Sequence, residues 1–170
     1  TIAKKFKSNN FYFCFDHTIN HRKQVDPLYK AQRAAKRREL TKEEMKQFEL
    51  KHNQEKEIRN FTLKNMGFRN LFQKEGFEGD DFMAVLCDKL KTKKIIMITS
   101  DSDMYQCLEH CDIVSPINMK VFTKEDFMEK YKVYPYQWPV CKSIGGCSGD
   151  NVIGIKGASE VNTNHIRMFL

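Results

Sequence analysis

The chain has 170 residues, 41% of them hydrophobic and 30% charged, which suits one domain, or one and a fragment of a second, around a buried core. That composition excludes a disordered tail or a fibre, and no apolar run approaches the roughly 20 residues of a membrane span. The net charge of +7 is uneven: residues 1–70 hold 17 Lys/Arg against 8 Asp/Glu, whereas residues 71–170 hold 12 against 14. A basic part joined to an acid-rich one points to a polyanion held by the first and worked on by the second.

In chain order, "NFYFCFDH" (10–17) alternates aromatics and predicts a strand ending at Asp16. A basic block follows, with Arg22, Lys23, Lys30, Arg33, Lys36, Arg37 and Arg38 opposed only by Asp26. A solvated helix face usually mixes signs; this block does not. Residues 31–58 are rich in Ala, Arg, Lys, Glu and Gln and lack Gly and Pro, which predicts helix with little burial, projecting from the body. "FTLKNMGF" (61–68) closes a helix at Gly67, and "NLFQ" (70–73) reads as a short strand.

"GFEGDDFMAVLCDKLK" (76–91) is an amphipathic helix through Phe82, Val85, Leu86 and Leu90, opening on Glu78, Asp80 and Asp81. A strand over 94–99 runs straight into Asp101 and Asp103, which begin another helix at 101–109. "DIVS" (112–115) is a strand; "VFTKEDFMEKY" (121–131) is a residue or two of strand, then a helix capped by Thr123. Strands alternating with helices predict an α/β fold with a mostly parallel central sheet flanked by helices. The six cysteines at 14, 87, 107, 111, 141 and 147 include no C-x-x-C pair. Cys107, His110 and Cys111 fit one helical turn, but no second ligand pair supports zinc, and reduced thiols are the simpler reading.

Two aspartates separated only by Ser102 repel each other, and more so as water is excluded, so something positive is expected between them. Any one such acid reads as a helix cap or a solvated carboxylate. Asp16, Glu78, Asp80, Asp81, Asp101 and Asp103, however, all follow strand ends, where α/β sheets bind ligands. Oxygen ligands without His or Cys select Mg²⁺ or Mn²⁺, and two such ions about 4 Å apart clamp a phosphodiester during in-line hydrolysis.

"FDHTINHRKQVDPLYKAQR", "EGFEGDD", "ITSDSDMYQCL" and "GGCSGDNVIGIKGAS" stand in the order of the motifs of the 5′ nuclease family, and the chain resembles that family over about residues 5–160. The family includes bacteriophage flap endonucleases, the 5′–3′ exonuclease domain of bacterial DNA polymerase I, and eukaryotic flap endonucleases; the phage or bacterial branch looks closer. The resemblance implies a metal-dependent 5′–3′ exonuclease or flap endonuclease of replication or repair, in the cytoplasm of a bacterial or phage-infected cell. Its substrate would be DNA with a 5′ flap or free 5′ end, or RNA in an RNA–DNA hybrid. It assigns Asp16, Glu78, Asp80, Asp81, Asp101, Asp103 and Asp150 to two Mg²⁺ or Mn²⁺ ions, and Lys30 and Arg33 to stabilising charge on the scissile phosphate. Arg22, Lys23, Lys36, Arg37 and Arg38 would bind DNA, as would the backbone at Gly154 and Gly157, where a K⁺ site is also implied.

The implied organisation is a nuclease domain over 1–140 (5′ nuclease or PIN-like), with a helical arch at about 31–58, and a partial helix-turn-helix element over 141–170 that grips the duplex. Family members begin with a further strand and aspartate, so a missing N-terminal segment or a second polypeptide is an expected partner, beside replication proteins. Cys147 stands where many relatives carry aspartate, which predicts a weaker second metal site. The rival reading is a catalytically impaired structure-specific DNA-binding protein, or a fragment that another chain completes. A smaller metal-dependent RNase of related α/β type is set aside because it lacks the arch and hairpin.

Overall fold

The computed structural model describes residues 2–147, 152–156 and 158. The chain divides into two compact units, one of residues 1–27 and 31–79, the other of residues 28–30 and 80–170. Both are α/β.

In the first unit, α1 (Ile2–Phe6) precedes β1 (Phe13–Cys14), which pairs in parallel with β2 (Leu71–Phe72) in the register Phe13 to Leu71 and Cys14 to Phe72. Phe11 and Phe13 pack on Phe68, and Tyr12 stacks on Phe72, so the alternating aromatics clothe both faces of this short ladder. Between the strands lie α2 (His21–Val25), α3 (Ala31–Arg38) and α4 (Lys42–Glu57). None of the three buries a residue completely, as their scarcity of large apolar side chains requires. Helix α4 starts at a capping box in which Thr41 and Glu44 satisfy each other's backbone N–H. The chain then passes through a π turn (Ile58–Thr62) and a three-residue helix, α5 (Leu63–Asn65), and leaves it near Gly67 at φ +89°.

In the second unit, α6 (Gly79–Lys89, its first residue belonging to the other unit) leads to β3 (Ile96–Ile98) and a 3₁₀ helix (Ser102–Glu109). Then follow β4 (Asp112–Val114), β5 (Val121–Phe122), α7 (Lys124–Tyr131), a 3₁₀ turn (Pro135–Gln137) and α8 (Trp138–Gly145). Strands β3 and β4 are parallel, whereas β5 lies antiparallel to β4. The six residues 115–120 are too few for the dozen or more that a parallel crossover needs, so the chain turns back on itself. Trp138 and Phe127 are wholly buried at the centre of the core, with Tyr105, Tyr131 and Phe122 around them. Thr123 caps α7 through a capping box with Asp126.

Among the described residues, two small sheets of two and three strands stand in place of the expected single central sheet. The ladder of β1 and β2 stays short because side chains take over at its ends. Asn70 donates to the Phe11 carbonyl at 3.1 Å, and Gln73 to that of Asp16 at 2.7 Å. Helices α2 and α8 were not expected; Asn20 as N-cap and Pro139 in the first turn are their local signals. The sulfurs of Cys107 and Cys111 are turned into the core beside Cys87, while His110 is exposed. The Cys87 and Cys111 sulfurs both donate to the Cys107 carbonyl, and hydrogen bonding with Cys87, then burial, pushes the Cys107 and Cys111 thiols up. No helix among the described residues is long and apolar enough to cross a membrane.

Candidate active site

In the first unit, residues 13–21 run beside 70–79, and this track places two of the acids. His17 N–H donates to the Phe77 carbonyl, Gly76 N–H to that of Ile19, and His21 N–H to that of Gly76. Gly76 sits at φ +91°, a conformation that favours glycine, and a Cβ there would displace the exposed His21 ring. Asp16, two residues beyond β1, accepts the Gly79 N–H on Oδ1 at 2.7 Å. A Cβ on Gly79 would lie 3.2 Å from that oxygen, so the small residue lets the helix start approach the carboxylate. Glu78 is buried and pairs with Arg22 at 3.3 Å. The N–H of Arg22 is itself held by the Asn20 side chain at 2.8 Å. Arg22, expected to face DNA, thus has a local anion to neutralise.

In the second unit, β3 ends at Ile98, and Asp101 follows with its N–H donating to Thr99 Oγ1 at 3.1 Å. Asp101 is the N-cap of the 3₁₀ helix, and its Oδ1 accepts the Asp103 N–H at 2.9 Å. The neighbour of Asp103 is Lys142, whose Nζ lies 2.9 Å from Oδ1 and 3.4 Å from Ser102 Oγ. Trp138, one turn earlier on α8, donates its indole N–H to the Ser102 carbonyl at 2.7 Å. Asp103, Gln106, Trp138, Pro139, Lys142, Ser143, Cys147 and Val152 line a cleft of about 260 Å³. A lysine of this chain thus supplies positive charge beside Asp103. Sequence reasoning missed it, although Lys142 is the only charged residue in Trp138–Gly145, itself a signal that its charge is spent inward.

Asp80 and Asp81 stand half-buried in the first turn of α6. Lys30 is half-buried just before α3, with φ +56° and its ammonium 5.0 Å from the centre of the Tyr29 ring. A left-handed lysine is a strained conformation of the kind found at functional positions. Arg33, Lys36, Arg37 and Arg38 are exposed on α3, and Lys23 on α2; Arg37 lies 4.6 Å over the Phe48 ring of α4. Gly146 and Gly154 cross so closely that a Cβ on either would collide with backbone of the other stretch. The bridge joining Cys147 to Val152 holds this crossing. Asp150 and Gly157 lie outside the described residues.

Hard divalent cations take carboxylate oxygens, and Asp16, Asp101 and Asp103 supply them just beyond the ends of parallel strands. The ammonium seated on Asp103 acts as a stand-in cation, so the donor chemistry fits such an ion. Among the described residues, no group of three or more His, Cys, Asp or Glu is gathered closely enough to hold one.

Residues 1–132 match the family described as 5′-3′ exonuclease, N-terminal resolvase-like domain. A 5′-3′ exonuclease of Bacillus subtilis (strain 168) is 30% identical over 167 residues, which are 94% of this chain and 52% of that protein. A 5′-3′ exonuclease of Aquifex aeolicus (strain VF5) is 36% identical over 90 residues, 51% of this chain and 31% of that one. Among solved structures, T5 5′-exonuclease with bound zinc ions superimposes with a TM-score of 0.85 at 25% identity, covering 99% of this chain and 63% of that one. A bacteriophage T5 flap endonuclease in a pseudo-enzyme–product complex with DNA and metal ions gives 0.84 at 26%, with the same coverage. The chain thus spans about half the length, or less, of these curated relatives.

Proposed function

The chain belongs to the 5′-3′ exonuclease family through its N-terminal resolvase-like domain, and on that premise we propose that it hydrolyses DNA phosphodiesters near a free 5′ end or a 5′ flap. The observation that carries the reading is the repeated position of the acids: Asp16 just beyond β1, and Asp101 and Asp103 just beyond β3, each following a strand paired in parallel. Asp16, Glu78, Asp80, Asp81, Asp101 and Asp103, with Asp150, would hold two Mg²⁺ or Mn²⁺ ions. When bound, such ions polarise phosphate oxygens as Lewis acids.

The chain's own residues do the rest. Lys30 and Arg33 stabilise the negative charge that builds on the phosphate oxygens as the bond breaks. Lys23, Lys36, Arg37 and Arg38 take phosphates of the strand, a sequence-independent contact that releases counterions. Arg22 orients Glu78 through their ion pair. Residues 31–58 form the arch that receives a single 5′ strand. Residues 141–170 would grip the duplex, with backbone N–H groups at Gly154 and Gly157 approaching a phosphate, and the same element would hold K⁺.

The test is cleavage of a labelled 5′-flap duplex in Mg²⁺, in Mn²⁺ and in EDTA, by the wild type and by Asp101→Asn. Product that requires the divalent ion and falls at least a hundredfold in the variant supports the reading. Metal-independent product, or a variant as fast as wild type, refutes it. An RNA–DNA hybrid of the same shape, run alongside, decides whether RNA belongs to the substrate class.

A further inference from the structure

Lys142 has no role in the proposed hydrolysis, yet among the described residues it is a largely buried cation paired with Asp103. Its side chain is only 16% exposed, and its Nζ lies 2.9 Å from Asp103 Oδ1 and 3.4 Å from Ser102 Oγ. It projects from α8 one turn after Trp138, which is wholly buried and tied to the Ser102 carbonyl. The ammonium is therefore carried by a rigid element and anchored next to the serine between the two aspartates. A lysine held this way has already lost its conformational freedom, so the pair forms at little further entropic cost.

We propose that Lys142 is an exchangeable counter-cation of Asp103: its ammonium holds the carboxylate while no divalent ion is bound, and leaves it when one is. The inference rests on the proposed metal-binding role of Asp103. A lysine and a hard divalent ion compete for the same lone pairs, and a carboxylate oxygen at 2.9 Å from Nζ cannot give its full field to both. The cleft beside the pair, lined by Gln106, Pro139, Ser143, Cys147 and Val152, gives the flexible four-carbon stem room to swing. Lys142 would then set the affinity for the ion and keep Asp103 from repelling Asp101 before the ion arrives. It is a positioning residue, with no contact to the reacting atoms.

Two readouts besides cleavage test this. In the wild type, Lys142 is footprinted by reductive methylation and mass spectrometry with and without saturating Mn²⁺. Displacement predicts slow labelling without metal and labelling several-fold faster with it. Calorimetric Mn²⁺ titration of Lys142→Met should give binding about tenfold tighter than wild type, equivalent to 1.4 kcal/mol, while Lys142→Arg stays close to wild type. Unchanged labelling with Mn²⁺ bound, or a Lys142→Met variant that binds no more tightly, overturns the proposal. The footprint uses the wild-type protein and so decides the matter even where a variant fails to fold. Absence of Mn²⁺ binding by every form would instead remove the metal-binding reading itself, and this inference with it.

Discussion

Trp138→Phe tests whether the second unit holds its aspartate pair from behind. Trp138 is wholly buried, packs against Phe127, Tyr105 and Tyr131, and gives its indole N–H to Ser102 at 2.7 Å. Phenylalanine keeps the aromatic packing but removes the donor and part of the ring. Leaving the Ser102 carbonyl without this partner costs about 1–2 kcal/mol. The lost ring atoms add about 1 kcal/mol for transfer and residual cavity. The expected loss is about 2–3 kcal/mol, below the roughly 5–15 kcal/mol by which domains are usually stable, so the variant still folds. Urea unfolding should show a lower midpoint with an unchanged slope. Because Ser102 separates Asp101 from Asp103, the variant should also bind Mn²⁺ several-fold more weakly. A loss under about 0.5 kcal/mol, with Mn²⁺ affinity retained, would refute the idea that the indole bond fixes this segment.

Gly76→Ala should destabilise the first unit by about 1–2 kcal/mol, mainly from the positive φ, and thermal unfolding monitored by circular dichroism would show it. Lys30→Ala should lower turnover far more than DNA affinity, whereas changing Lys36, Arg37 and Arg38 together should weaken binding and flatten its salt dependence; binding and single-turnover rates measured across a salt series separate the two. The Thr41 hydroxyl holds the Glu44 carboxyl below its ordinary 4.5, so the stabilisation it lends to α4 is present above that value and fades as the pH falls through the lowered one. In Thr41→Ala, the acid-induced loss of helicity seen by far-ultraviolet circular dichroism should be correspondingly smaller.

The order of helices and strands was legible because its signals act within a turn or two of the chain. Thr41 with Glu44 and Thr123 with Asp126 start helices through contacts three residues apart. The apolar run 95–98 needs only its own composition to read as a strand, and the placement of Asp16, Asp101 and Asp103 just beyond strands follows from these local rules. What tertiary structure decided are the partners. Arg22 finds Glu78 across 56 positions of sequence, and Trp138 finds Ser102 across 36. Lys142 reaches Asp103 only because α8 lies against the 3₁₀ helix. The division into two small sheets was equally hidden, since it depends on which strands pair side by side, Phe13 with Leu71 and Ile96 with Asp112, and strand propensity does not name a partner. A residue's own chemistry and spacing say that it needs a counter-charge or a hydrogen bond. Which group supplies it depends on which backbones the fold brings within about 3 Å, and no local pattern carries that information.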